Sequence, residues 1–365
     1  MTTLREIRRS IGNFLAINWN RLSGREFVPH PRRTIFVETS GRCNLACRFC
    51  AYPKSPPGAL MDDEAFAEIL DEVCAMGFSQ IHPTPMLGDA FADPGLLRKF
   101  DAMEAEERVA AYSFYTNFIL AREAQIRALP RYRKMNALYI SIYGYDAETF
   151  TETTRKGARQ FDKLVANLKV LEDLLEDWRP ADGVHFNVRT KHTGASILAQ
   201  GSELSDLMRR LSESGRATVT ENVDYDTWGG MIDQSEVDPL GIQLTDGRNI
   251  YMRGACFKIF GEVQIKADGQ VHACACRDVD GSLRLGDLRE TPLAEILSSA
   301  NPRYRALIEA QMRGEFSENC RSCSMYRSVY DHRPSDSGTL YDVLAFDEAF
   351  EILDRPATPD GKAAD

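Results

Sequence analysis

The stretch Cys43-Asn-Leu-Ala-Cys47-Arg-Phe-Cys50 decides how this chain is read. Its C-x3-C-x2-C spacing lets one loop present three soft thiolates to one metal centre. A complete four-iron cluster takes four cysteines, one per iron. Three leave one iron open, and an open metal position is where substrate chemistry occurs. The loop follows a short apolar run, Thr34-Ile35-Phe36-Val37, which reads as a first strand. A structural zinc loop and three unconnected thiols are the alternatives. Zinc calls for a fourth ligand nearby in sequence, and none follows before Cys74.

A second set of cysteines lies downstream. Cys256 is followed by twelve residues, Gly269, four more residues and Cys274; Cys320-Arg-Ser-Cys323 comes much later. Four thiolates can close a complete cluster with no open site, or hold zinc. Val263-Gln-Ile-Lys266 and Gln270-Val-His-Ala273 alternate apolar and polar around Asp268-Gly269, a strong hairpin signal. Cys256 and Cys274 are thus expected at the two ends of one hairpin.

The first motif resembles the radical S-adenosylmethionine superfamily, and the second resembles its twitch domain, the shortened SPASM extension. The resemblance implies two 4Fe-4S clusters and S-adenosylmethionine as cofactors. Cys43, Cys47 and Cys50 would hold the cluster whose open iron chelates S-adenosylmethionine. Cleavage there gives a 5′-deoxyadenosyl radical. Cys256, Cys274, Cys320 and Cys323 would hold one auxiliary cluster. Phe49, before the last cysteine of the loop, has the family position that packs near adenine.

Along Thr34 to Val223 short apolar runs alternate with amphipathic segments. Strands are expected at 34–37, 80–82, 111–115, 137–142, 185–190 and 217–221, with helices at 63–76, 94–106, 122–129, 161–178 and 202–214. This rhythm argues for parallel βα units with right-handed crossovers. The resemblance implies a partial (β/α)6 barrel, an α/β fold, followed by a small α+β cluster domain with a β-hairpin. The expected division is 1–33 lead-in with an amphipathic helix, 34–230 barrel, 231–335 auxiliary domain and 336–365 tail. From Arg355 on, composition reads as disordered. The basic amphipathic start, Leu4 to Trp19, can pack across a barrel mouth or lie on a membrane surface.

Reactive groups in such barrels sit at the C-terminal ends of strands. The segment Gly88-Asp89-Ala90 is similar to the family's Gly-Glu-Pro, whose backbone holds the amino group of S-adenosylmethionine; Asp and Ala stand where Glu and Pro are usual. Thr116-Asn117 is similar to the Thr-Asn-Gly that lies near the ribose, with Phe118 in the glycine's place. Ser141-Ile142-Tyr143-Gly144 is similar to Ser-Ile-Asp-Gly, making Ser141 a hydroxyl contact and turning Tyr143 toward substrate or into packing. Arg189 has the position that reaches the S-adenosylmethionine carboxylate. Cys276 is an extra thiol: hydrogen-atom donor, substitute ligand or buried bystander. The acidic and aromatic run Glu221–Gly230 is either a substrate-contacting bridge or a solvated linker. Cys74 reads as core.

Composition narrows the partners. The 365 residues carry net charge −10, 43% hydrophobic and 27% charged residues, and nine cysteines. This excludes a basic nucleic-acid footprint, and no apolar stretch is long enough for a membrane span. No signal peptide is read at the start, and the cysteine spacing points to metal in a reducing cytoplasm. An electron donor such as flavodoxin or ferredoxin is implied. Two enzyme classes remain: oxidation or epimerisation of a small polar molecule, and maturation of a precursor peptide. Peptide maturases often add a recognition domain of about eighty residues, and only 33 residues precede the first strand. A non-catalytic iron–sulfur sensor is the third reading. It leaves unexplained why one cysteine set numbers three and the other four.

Overall fold

The computed structural model describes residues 4–223, 225–245, 252–332 and 343–355. Six parallel strands form its centre: β1 (Thr34–Val37), β2 (Gln80–His82), β3 (Ala111–Thr116), β4 (Met135–Ile142), β5 (Gly183–Val188) and β6 (Ala217–Glu221). They lie side by side in sequence order, with helices in the connections. Three have the expected bounds. β3 ends one residue later, β4 begins two earlier, and β5 is shifted two residues toward the N-terminus, starting at Gly183 with φ of 92°. Arg189 therefore stands just past β5, though its N–H still continues the ladder to Ile142 O at 2.8 Å.

The helices follow their sequence signals. Helix Asp63–Ala75 is capped by Asp62, whose carboxylate accepts from Ala65 N at 2.7 Å, and carries acids in its first turn. Phe66, Ile69, Leu70, Val73 and Cys74 recur every three or four residues and are buried against the sheet. Each large side chain so buried contributes roughly 1.5–3 kcal/mol. Cys74 is core, as expected. Helix Ala158–Leu174 buries Phe161, Leu164, Val165, Leu168 and Leu171 by the same spacing.

The C-terminal hairpin extends the central sheet. Strand β7 (Gln264–Ile265) runs parallel to β1, pairing Gln264 with Phe36 and Ile265 with Val37. Strands β8 (Gln270–His272) and β9 (Arg284–Asp287) continue antiparallel, completing nine strands in order β9-β8-β7-β1-β2-β3-β4-β5-β6. The hairpin turn uses Gly269 at φ of 85°, a left-handed conformation that glycine adopts freely. The auxiliary hairpin is thus joined by backbone to the strand preceding the three-cysteine loop.

Two end regions depart from expectation. Within the stretch read as a tail, Val343–Ala345 pairs antiparallel with Phe27–Pro29, and helix Phe346–Asp354 packs Phe346 and Phe350 on Phe260. The expected disorder beyond Arg355 falls on residues 356–365, outside the described residues. The first helix, Leu4–Leu22, does not cover the barrel mouth with its apolar face: Ile11, Leu15, Trp19 and Leu22 are exposed and Ile17 is buried. Its Asn20 donates to Tyr330 O at 3.0 Å, tying the helix to the segment after the last cysteines.

Candidate active site at the mouth of the barrel

The C-terminal ends of the parallel strands surround a cavity of about 190 Å³. Cys43, Cys47 and Cys50 line it, together with Phe49, Gly88, Asp89, Asn117, Ser141, Tyr143 and Arg189. The fold therefore gathers every barrel residue singled out from the sequence onto one wall system. It adds Met86 and Arg277, which the sequence did not single out, and brings Trp228 of the Glu221–Gly230 run to the same cavity.

Local hydrogen bonds hold the cysteine loop. Leu45 N points at Cys43 Sγ and Tyr52 N at Cys50 Sγ, each at 3.5 Å. Asn117 bridges: its Nδ2 donates to Asn44 Oδ1 at 2.9 Å and lies 3.8 Å from Cys43 Sγ. Burial pushes the Cys43 thiol up to about 12 and raises Cys47 and Cys50 as well. Buried thiols of this kind become thiolates only against a positive centre. A metal cluster supplies one.

The loop after β2 is built from backbone and carboxylates. Gly88 leaves no room for a side chain, since a Cβ would stand 2.1 Å from Ser40 O. Asp89 is buried and accepts from Asn117 N at 2.6 Å, Phe91 N at 3.0 Å and Thr116 Oγ1 at 3.1 Å. Its carboxylate knits the ends of β2 and β3 together, while burial raises it to about 6. Asp93 accepts from Gly95 N at 2.7 Å and pairs with buried Lys99 at 2.9 Å, fixing the start of the next helix. Phe118, standing where relatives carry glycine, has φ of 62°. The left-handed backbone explains the usual glycine; here a fully buried ring, edge-on to Phe91 at 5.9 Å, holds the strained position.

Phe49 lies between Tyr143 and Tyr225, with ring centroids 5.5 and 5.3 Å away. The acidic run after β6 is part exposed, at Glu221, Val223 and Gly230, and part buried. Tyr225 and Asp226 are buried, and Asp226 pairs with Arg277 at 2.8 Å. Its carboxylate is therefore committed to a protein cation and does not face the cavity as a free anion. Asp224 lies outside the described residues.

The second cysteine set gathers around a smaller cavity, about 20 Å³, lined by Cys256, Cys274, Cys276, Cys320 and Cys323. Gln311 pins two of them: its Oε1 accepts from Cys256 N at 2.8 Å and its Nε2 lies 3.6 Å from Cys320 Sγ. Cys276 N approaches Cys274 Sγ at 3.4 Å, and Met325 N approaches Cys323 Sγ at 3.3 Å. Such N–H groups favour sulfur that carries negative charge. Cys276 Sγ lies 3.3 Å from Glu262 Oε2 on the side of this smaller cavity, and does not line the barrel cavity.

All nine cysteines are free thiols. Among the described residues no three His, Cys, Asp or Glu converge closely enough to hold a single metal ion. Each cysteine set lines one common cavity, and a four-iron cluster takes one thiolate per iron.

A family model described as the radical SAM superfamily matches residues 37–183, and one described as an iron-sulfur cluster-binding domain, SPASM, matches 256–324. The chain is similar to the crystal structure of BtrN in complex with AdoMet and 2-DOIA, at 14% identity and TM-score 0.53, over 85% of this chain and 98% of that one. It is also similar to Streptococcus suis SuiB bound to precursor peptide SuiA, at 13% identity and TM-score 0.55, over 86% of this chain and 75% of that one. At such identities the likeness is one of fold. No curated protein sequence matches the chain. The first domain implies a 4Fe-4S cluster and S-adenosylmethionine, and the second implies further iron–sulfur binding. No helix among the described residues is long and apolar enough to cross a membrane. The chain thus carries a radical SAM domain over residues 37–183 and, behind it, a SPASM-type iron-sulfur cluster-binding domain over residues 256–324.

Proposed function

We propose that the chain is an oxidoreductase that dehydrogenates a small polar molecule. In this reading Cys43, Cys47 and Cys50 hold the cluster with an open iron. Cys256, Cys274, Cys320 and Cys323 hold one closed auxiliary cluster, within a domain spanning about residues 231–335 behind a barrel spanning 34–230. One observation carries the reading: the radical cavity and the second thiol-lined cavity share a wall, formed by Arg277. An electron acceptor placed there suits oxidation more directly than isomerisation.

When bound, the open cluster and S-adenosylmethionine supply a 5′-deoxyadenosyl radical, and the closed cluster supplies a one-electron acceptor. The chain's own residues do the rest. The Gly88 backbone faces the ammonium of S-adenosylmethionine, and Arg189 pairs with its carboxylate. Phe49 packs against adenine, and Asn117 and Ser141 offer polar contacts to the remainder. Asp89 keeps this loop in shape. Tyr143, half-buried beside Phe49, closes the site and meets substrate. With both groups bound, Tyr143 and the cavity wall would hold a hydroxyl-bearing carbon of the substrate beside S-adenosylmethionine, where loss of one hydrogen atom, one electron and the hydroxyl proton would leave a carbonyl. Seven of nine cysteines committed to iron–sulfur sites fit a reducing, cytoplasmic setting with a flavodoxin- or ferredoxin-type donor.

Similar folds take both substrate classes: BtrN is described with AdoMet and 2-DOIA, and SuiB with a precursor peptide. The chain spans 98% of the former and 75% of the latter. The test is incubation of reduced, reconstituted protein with S-adenosylmethionine and a panel of sugars, nucleosides and aminocyclitols carrying deuterium at each carbinol carbon. Deuterated 5′-deoxyadenosine with an equal amount of ketone is expected from one of them. Deuterium transfer only from a peptide, or return of deuterium-free alcohol of inverted configuration, overturns the dehydrogenase reading.

A further inference from the structure

Arg277 belongs to both sites. Among the described residues it is the one side chain that lines the barrel cavity and also the cavity of the C-terminal cysteines. Three contacts fix its guanidinium. Nε donates to the two oxygens of Asp226 at 3.0 and 2.8 Å. Nη1 donates to Cys276 O at 2.8 Å. The plane lies over the Trp228 ring, 4.1 Å from its centroid.

These contacts run on to a cysteine at each site. Trp228 Nε1 donates to Phe49 O at 2.9 Å, next to Cys50. Asp226 accepts from Ser324 N at 3.3 Å and Ser324 Oγ at 3.0 Å, next to Cys323. The positive charge bears on Cys50 from one side and on Cys323 from the other. Arginine stays protonated in proteins, and this side chain is only 13% exposed, so water screens it weakly. A buried ion pair adds little net stability compared with apolar packing of the same shape. Stability alone is therefore a poor reason to place one between two metal sites.

We propose that Arg277 is a positioning residue for electron transfer, whose fixed charge raises the reduction potential of the auxiliary cluster while Asp226 sets how much of that charge is expressed. The inference rests on the assignment of Cys256, Cys274, Cys320 and Cys323 as ligands. One-electron reduction makes such a cluster one charge more negative, so a nearby cation favours the reduced form.

The test uses the full chain with Cys43, Cys47 and Cys50 changed to Ala, so that one cluster remains, and follows its reduced signal by electron paramagnetic resonance during redox titration. Arg277→Gln shifts the midpoint to more negative potential, lowering the reduced-to-oxidised ratio at a fixed potential about tenfold, which is about 59 mV for one electron. Asp226→Asn shifts it to more positive potential. Arg277→Lys keeps the charge and stays nearest the parent. Both charge-removing changes disturb the same ion pair, so damage alone moves them in one direction. Shifts of the same sign, or no shift in Arg277→Gln, overturn the inference while leaving the cluster assignment standing. A parent triple-Ala protein that binds no iron overturns the assignment, and the inference with it.

Discussion

The two cysteine sites are built from the same ligand chemistry and differ in their surroundings. At the barrel mouth three thiols face a cavity of about 190 Å³ whose other walls offer backbone, hydroxyl, amide and guanidinium groups. In the C-terminal site five thiols enclose about 20 Å³, filled in by Ile259, Leu283 and Tyr326. In the proposed reading the first site admits a second molecule beside its cluster and the second does not, so that one residue type would serve an open role and a closed one, with the neighbours making the difference.

The largest test of that contrast removes the open site altogether. Changing Cys43, Cys47 and Cys50 together to Ala abolishes 5′-deoxyadenosine formation, while iron falls from about eight to about four per chain, four per cluster. Continued cleavage of S-adenosylmethionine in this variant breaks the comparison, because the chemistry would then belong to the closed site.

A graded effect comes from the wall. Arg189→Ala removes one charge-assisted pair, worth about 1.5–3 kcal/mol, and each 1.4 kcal/mol is tenfold in affinity. The dissociation constant for S-adenosylmethionine therefore rises roughly 10- to 100-fold, measured by equilibrium binding to the reconstituted protein, and the signal of the auxiliary cluster is unchanged. Unaltered affinity removes Arg189 from the carboxylate position.

The smallest effect concerns support beneath the open site. Phe118→Gly relieves a left-handed backbone worth about 1–2 kcal/mol and loses a buried ring worth about 3–5 kcal/mol by analogy with Phe→Ala. Burial wins, so the variant loses about 2 kcal/mol in chemical denaturation of the holoprotein. A gain in stability instead means that backbone strain dominates there.

The parts of this architecture that could be read in advance are those with short-range signals. The strands stand out as apolar runs between amphipathic segments, and the cysteine sets stand out because ligand spacing is local chemistry. Gly88 and Phe118 were visible as a match and a departure, and both trace to backbone constraints. The shared wall was not visible. Arg277 meets Asp226 and Trp228 across about fifty residues of chain, with no periodic pattern linking them. The run around Asp226 read equally as a substrate-contacting bridge or a solvated linker because its partner, Arg277, lies about fifty residues further along the chain. Likewise, nothing local in Gln264–Ile265 announces parallel pairing with β1, and nothing in Val343–Ala345 announces Phe27–Pro29 as its partner.

In the proposed division one cluster is open to S-adenosylmethionine and the other is closed. Electron paramagnetic resonance of the reduced protein, with and without S-adenosylmethionine, tests it most directly. The signal missing from the triple-Ala variant should change on addition, and the signal that survives in that variant should not. A change in the surviving signal, or none in either, would contradict the division between the two sites.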